Sequence, residues 1–227
     1  MLFSESRCFW DGKLEGGCMQ ITSKNDLNGG ENKRLPPGRV KITRALKALL
    51  EKKEFGLITT AEIAKTAGVA EALIYKYFND KRDLLHQVLK EYLEQHQAQL
   101  ELDLKGIKGA LNKLRKLIWS HVNVYATRRV FTRIFLIEVR NHPDYYKSET
   151  NKLAKTYSNM ALRIIEEGIR NGDIRDNLQP KLIWHGILGS IEQVCLSAVI
   201  FGRDLSPDDL TEKICEFVFK GIASKPT

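Results

Sequence analysis

The stretch from Thr59 to Leu85 constrains this chain more than any other, because it holds a helix start, a helix stop and a second helix start in quick succession. Thr59-Thr60-Ala61-Glu62 has the spacing of a capping box, in which Thr59 accepts from the Glu62 amide while the carboxylate reaches back. Ile63, Ala64 and Ala67 then face inward, and Gly68 supplies the left-handed position that closes the helix. Val69 plugs the turn. A further helix follows at about 71–78, with Ile74 and Phe78 buried and Glu71, Ala72, Leu73, Tyr75 and Lys76 turned outward. Upstream, from Arg39, Ile42, Ala45, Leu46 and Leu49 recur at i, i+3, i+4, i+7 on one face of a first helix that ends at Gly56. Two short helices joined by a tight glycine turn make a helix-turn-helix.

Charge agrees with that reading. The formal net charge is +8, and residues 39–90 carry eleven basic and six acidic side chains, so five of the eight excess charges fall in this short segment. An anionic partner is expected there. Residues 1–38 are neutral overall, and Asn25 to Gly38 is rich in Asn, Gly and Pro; they read as a flexible arm, with no fold assigned.

The residues Thr59-Thr60-Ala61-Glu62-Ile63-Ala64-Lys65-Thr66-Ala67-Gly68-Val69, the Tyr75-x-x-Phe78 pair and the following Lys81-x-x-Leu84-Leu85 together resemble the DNA-binding signature of TetR-family regulators. The resemblance implies an all-α fold. It has a three-helix DNA-binding head at 39–85, a helical ligand-sensing and dimerisation domain at 86–227, and about nine helices. It also implies that Thr60 and Lys81 contact phosphates, where amides and positive charge meet the anionic backbone. Tyr75, Lys76 and Tyr77 offer hydroxyl and ammonium donors, with Glu71, Ala72 and Leu73 as base readers. For both tyrosines the alternative is a half-buried core aromatic, and Leu73 could meet a thymine methyl or pack against the first helix. The chain departs from the family at Ala70, where Ser or Thr usually caps the recognition helix, a loss of about 1 kcal/mol of capping.

Beyond Leu84 a helix continues to about Leu104, and apolar periodicity predicts helices near 107–126, 129–140, 144–171, 180–201 and 207–222. Gly106, His142-Pro143, Asn171-Gly172, Gln179-Pro180 and Ser206-Pro207 break them. The last two helices read as an oligomer interface through Ile187, Ser190, Ile191, Val194, Ala198, Phe217 and Val218; the alternative is that they close only their own core. By resemblance they build a four-helix homodimer contact that spaces two heads on a palindromic operator. A ligand pocket is expected among the middle helices, lined by Trp119, His121, Tyr125, Phe131, Phe135, Arg140 and Tyr157, with Arg133 and Arg140 placed to receive an anionic group. Ile137-Glu138-Val139-Arg140 and Gly168 through Arg175 are similar to the sensing domains of acyl-CoA-responsive fatty-acid-degradation regulators. The implied function is a repressor that a small-molecule effector, such as an acyl-CoA or another amphipathic compound, releases from double-stranded operator DNA.

Other classes lack their parts. There is no G-x-S-x-G elbow, HExxH, phosphate-binding G-x-x-x-x-GK[S/T] or dinucleotide G-x-G-x-x-G. The five histidines show no i, i+4 pairing, and Cys8, Cys18, Cys195 and Cys215 no CxxC, so neither metal nor cofactor is expected. No run of 18 consecutive apolar residues occurs, so no membrane span is expected, and the cytoplasm is the expected compartment. Two alternatives stay open: a DNA-binding protein without ligand control, and a helical ligand-binding enzyme.

Overall fold

The structure is a computed structural model that describes residues 35–224. Most of the expected arm at 1–38, with Cys8 and Cys18, lies outside the described residues. The fold is all-α, and the described chain holds nine α-helices with short 3-10 and π segments between them. It divides into two compact units, one ending at Leu84 and one beginning at Leu85.

In the first unit, α1 (Pro37–Leu50) starts two residues before the expected Arg39, because Pro37 at its first position needs no backbone donor. Its buried stripe is Ile42, Ala45, Leu46, Leu49 and Leu50. A 3-10 turn at Phe55–Leu57 drops Phe55 into the same core. Then come α2 (Thr60–Ala67) and α3 (Ala72–Tyr77), with Ile63, Ile74 and Phe78 buried against the α1 stripe. Removing each such aliphatic or aromatic side chain from water contributes about 1.5–3 kcal/mol, which holds together a unit of only three short helices. Gly68 has φ of 64°, and the amides of Gly68 and Val69 both return to the Ala64 carbonyl, so the turn closes as the sequence predicts. The capping box is half formed. Thr59 Oγ1 accepts from the Glu62 amide at 3.1 Å, but the Glu62 carboxylate pairs with Lys53 at 2.6 Å instead of turning back. An ammonium is a stronger partner than a neutral amide. No side chain caps α3, as Ala70 implies.

The next helix, α4 (Lys81–Leu104), begins in the first unit and runs through the second. There α5 (Ala110–Thr127) is the central element, packed against α7 (Glu149–Arg170), α8 (Pro180–Phe201) and α9 (Pro207–Ile222). Leu114, Leu117, Ile118 and Val122 of α5 meet Ile165 of α7, Trp184, Ile187 and Ile191 of α8, and Cys215 and Phe219 of α9 in one core. At Gly168 the approach of α5 is so close that a β-carbon would lie 2.7 Å from the Ala110 β-carbon and from Ile174. Two polar ties join α4 to α7: His86 Nδ1 with Thr150 Oγ1 at 2.7 Å, and Gln97 Nε2 donating to the Leu153 carbonyl at 2.7 Å.

Two expected helices are split. The one at 129–140 becomes α6 (Arg129–Arg133) followed by a π-helical turn, Ile134–Val139, in which the Arg140 amide bonds to the Phe135 carbonyl five residues back. The one at 144–171 becomes a 3-10 turn, Pro143–Lys147, and α7, because the Ser148 hydroxyl accepts from the Asn151 amide and so starts a new helix. Likewise α5 starts at Ala110 rather than 107, since Gly109 before it has φ of 83°. The α8 helix is long and apolar enough to cross a membrane by length and composition, although it holds no 18 consecutive apolar residues. Ile183, Trp184, Ile187, Ile191, Cys195 and Val199 along it are built into the protein core instead.

Candidate functional sites: a helix-turn-helix face and an apolar cavity

The outward face of the head is a polar network around the start of α2. The Thr60 hydroxyl donates to the Glu71 carboxylate, and the Tyr75 hydroxyl lies 3.4 Å from Thr60 Oγ1, in position to donate to it. Glu71, Ala72, Tyr75 and Lys76 are exposed on α3. They form the surface that α3 can lay along a nucleic-acid groove, with the sequence-implied Thr60 beside it. Three of the sequence-implied residues also touch the head itself. A β-carbon on Gly38 would meet Leu73 at 2.8 Å, and the Tyr77 ring lies near the same point, so both half-buried side chains pack over the start of α1. Lys81 Nζ donates to the carbonyls of Ile58 (2.6 Å) and Phe55 (3.0 Å) and sits 4.4 Å from the Phe55 ring centroid. Its ammonium ties the start of α4 to the 3-10 turn and to the residue that follows it.

The second site lies wholly within the second unit. Residues of α4, α5, α6, the π turn, α7 and α8 enclose a cavity of about 160 Å³. Six of the seven sequence-predicted residues line it: His121, Tyr125, Phe131, Phe135, Arg140 and Tyr157. Trp119 does not. It lies on another side of α5, where its indole N–H donates to Asp208 at 2.6 Å, because a step of two residues turns a helix by about 200°. The wall contributed by α4 (Tyr92, Leu93, His96, Gln97) and the α8 residues Leu188 and Glu192 were missed. Tyr92 and His96 at i, i+4 on one face of α4 were the available signal. The π turn matters here, because its wider winding brings Phe135, Leu136 and Arg140 to one wall.

Aromatic rings dominate the lining, with Tyr92 and Phe131 centroids 3.9 Å apart and Phe131 stacked parallel to Phe135 at 6.2 Å. Polar groups are few and uncharged in sum. His121 Nδ1 and the Tyr157 hydroxyl are 3.0 Å apart. Burial, and then the nearby charges of His96 and Arg140, push the His121 imidazole down to about 3, so it is neutral at ordinary pH. Burial lowers His96 as well, raises the Tyr92 phenol to about 12, and holds Tyr125 and Tyr157 far above the ordinary phenol range. The Arg140 guanidinium makes a two-pronged ion pair with Glu192, one arm of it 3.1 Å long. Arg140 therefore already has its counter-ion. Among the described residues, no group of three or more His, Cys, Asp and Glu could hold a metal ion.

The predicted interface residues of α8 and α9 divide by face. Ile187, Ile191, Ala198 and Val218 turn into the chain's own core. Ser190 is half-buried, while Val194 and Phe217 are exposed, Phe217 by 74%. The open stripe instead runs through Leu182, Gly186, Gly189, Val194, Ile200 and Phe201, one residue step around the helix from the predicted one.

Comparison with known proteins agrees with both halves. Residues 42–88 match the bacterial regulatory proteins of the tetR family, and residues 108–222 match the tetracyclin repressor-like C-terminal domain. The chain is 28% identical over 193 residues to the fatty acid metabolism regulator protein of Bacillus subtilis, covering 85% of this chain and all of that one. It is 30% identical over 150 residues to the nucleoid occlusion factor SlmA of Marinobacter nauticus, covering 64% and 73%. Among solved structures it is similar to the transcriptional regulator FadR of Bacillus subtilis in complex with stearoyl-CoA, with a TM-score of 0.73 and 27% identity over 81% of this chain and 98% of that one. With its helix-turn-helix and its helical second unit both matched, the chain belongs to the TetR family of bacterial transcriptional regulators.

Proposed function

We propose that this regulator is a homodimeric repressor that leaves a palindromic operator when an acyl thioester enters the cavity of its second unit. Residues 39–85 bind DNA, through Thr60, Glu71, Ala72, Tyr75 and Lys76, and residues 86–227 sense and dimerise. The carrying observation is the enclosed aromatic cavity among α4 to α8 with a few convergent polar groups. The stearoyl-CoA complex of the similar Bacillus regulator supports an acyl thioester as the ligand class. The exposed apolar stripe of α8, with Phe217 of α9, supports pairing of two copies. Such regulators act on the chromosome, so the working compartment is the cytoplasm.

Cavity size suggests how release works. A cavity of about 160 Å³ is near the size that admits a benzene molecule, and a stearoyl chain has about three times as many carbons. Long-chain ligand therefore binds a state in which the cavity has widened, and only such differential binding can shift a conformational equilibrium. The α4 helix supplies part of the cavity wall and has its first turn in the head, so a shift of that wall is carried along a continuous helix.

Selection of bound sequences from random DNA at physiological salt, followed by addition of stearoyl-CoA, tests this. An enriched inverted repeat that stearoyl-CoA releases is expected. No enriched motif with or without the ligand overturns the repressor reading. A motif held unchanged by stearoyl-CoA overturns the effector, and hydrolysis of the thioester would favour the enzyme alternative.

A further inference from the structure

Three features of the cavity bear on what part of a ligand it holds. First, its one strong cation is already neutralised: Arg140 and Glu192 meet prong to prong, and the hydrogen bonds that the guanidinium donates to Glu192 hold its charge in place. An anionic head group bound to Arg140 would leave Glu192 without its counter-ion, and a carboxylate stripped of its partner away from bulk water is costly. Second, the remaining polar groups on the walls are neutral. His121 is enclosed by protein and faces another imidazole and a guanidinium, so a second positive charge there is opposed from every side. Third, these neutral groups are not fully engaged. The His121 ring has one protein partner, Tyr157, among the described residues; the Tyr125 hydroxyl has none, and neither is sealed away from the cavity that both residues line.

The hydrogen count of the His121–Tyr157 pair follows from chemistry alone. Two neutral groups share one hydrogen bond between Nδ1 and the phenol oxygen. If the phenol donates, His121 carries its proton on Nε2 and has that N–H to give; if the ring donates, the phenol O–H is left over. Either way the pair offers the cavity one donor and no charge. An uncharged carbonyl oxygen, an acceptor with two lone pairs, satisfies such a donor; a carboxylate gains the same hydrogen bond but loses far more hydration on entry.

We propose that the His121–Tyr157 pair recognises an uncharged acyl carbonyl inside the cavity through its one free donor, so that the site takes thioesters and esters and rejects the free carboxylate of the same chain length. This deepens the acyl-thioester reading above and rests on it only for the choice of thioester over other esters. The effector is thereby a carboxylic acid that has been esterified, a product of acyl activation rather than its substrate. No step of bond making or breaking is involved.

The test compares three probes sharing one chain, stearoyl-CoA, methyl stearate and stearate, each labelled with ¹³C at the carbonyl and delivered from cyclodextrin to the full-length protein. Affinity is read by calorimetry, and the carbonyl stretch by isotope-edited infrared spectroscopy. Binding of stearoyl-CoA and methyl stearate with the carbonyl band shifted to lower frequency, and stearate at least tenfold weaker, is expected. His121→Phe should lose about tenfold in affinity for both esters and abolish the band shift, while His121→Gln, which keeps an N–H donor, should retain part of each. A merely structural histidine would change affinity without moving the band. Binding of stearoyl-CoA with stearate equally tight, or with no band shift, overturns this inference and leaves the effector reading standing. Binding of methyl stearate with the shift but not of stearoyl-CoA supports the inference and overturns the effector reading; binding of none overturns both.

Discussion

Arg140, the residue that closes the π-helical turn, is held by Glu192 of α8 in a two-pronged ion pair, so one wall of the cavity is tied to the helix whose far side forms the exposed apolar stripe. Both partners are partly solvent-exposed, and such pairs contribute about 0–1 kcal/mol to stability. Glu192→Gln should therefore change urea unfolding by less than about 1 kcal/mol. It should also free the guanidinium for anions, raising stearate affinity about fivefold or more, equivalent to about 1 kcal/mol for a new charged hydrogen bond. Unchanged stearate binding would show that the pair does not set the charge preference of the cavity.

Glycines on two faces of the second unit should respond in opposite ways. Gly168→Ala forces a β-carbon against Ala110 and Ile174 and is expected to cost about 1–3 kcal/mol in urea unfolding, more than the helix propensity it gains. Gly189→Ala meets nothing within 4 Å in the monomer and should stabilise the isolated chain by up to about 1 kcal/mol. If α8 packs against a second copy at Gly189, the same change weakens the dimer in sedimentation equilibrium by tenfold or more.

Buried neutral histidines set the acid response. In the folded chain His121 and His96 both titrate below the unfolded value of 6.5. The unfolded state therefore binds more protons below that pH, and the stabilisation present above pH 6.5 is lost as pH falls toward 5. The slope approaches about 1.4 kcal/mol per pH unit for His121, and His96 adds to it in the same direction. Urea titrations between pH 7 and 5 should show this loss, and His121→Gln should flatten it by one proton. Equal slopes in the two proteins would mean that His121 titrates normally.

On the head, Leu73→Ala should act on folding rather than on base preference, because Leu73 packs over Gly38. A loss of about 1 kcal/mol in stability is expected for a half-buried leucine, with the selected DNA motif unchanged. Glu71→Gln removes a negative charge from a surface that meets a polyanion. It should raise affinity for all sequences and alter the selected motif at one position per half-site. A motif altered by Leu73→Ala but not by Glu71→Gln would reverse the two roles.

The head was almost wholly legible in the sequence, since its signals are local. Thr59 caps, Gly68 takes a left-handed backbone, and Ile63, Ile74 and Phe78 recur at helical spacing, each acting within a few residues of itself. The same holds for the starts of α8 and α9 at Pro180 and Pro207. One-turn spacing also paired four residues of the cavity, His121 with Tyr125 and Phe131 with Phe135.

The tertiary structure decided what depends on a partner distant in sequence. Periodicity finds an apolar stripe but not which of two neighbours covers it, and for Ile187 and Ile191 it is the chain's own core that buries them. Trp119 reads like its aromatic neighbours until α9 brings Asp208 to its indole. The hydrogen bonds of Lys81 to the carbonyls of Phe55 and Ile58, more than twenty residues away, carry no local signal either. The charge state of the cavity belongs to the same class, since it rests on Arg140 meeting Glu192 across 52 residues of chain and on the burial of His121, which no local pattern encodes.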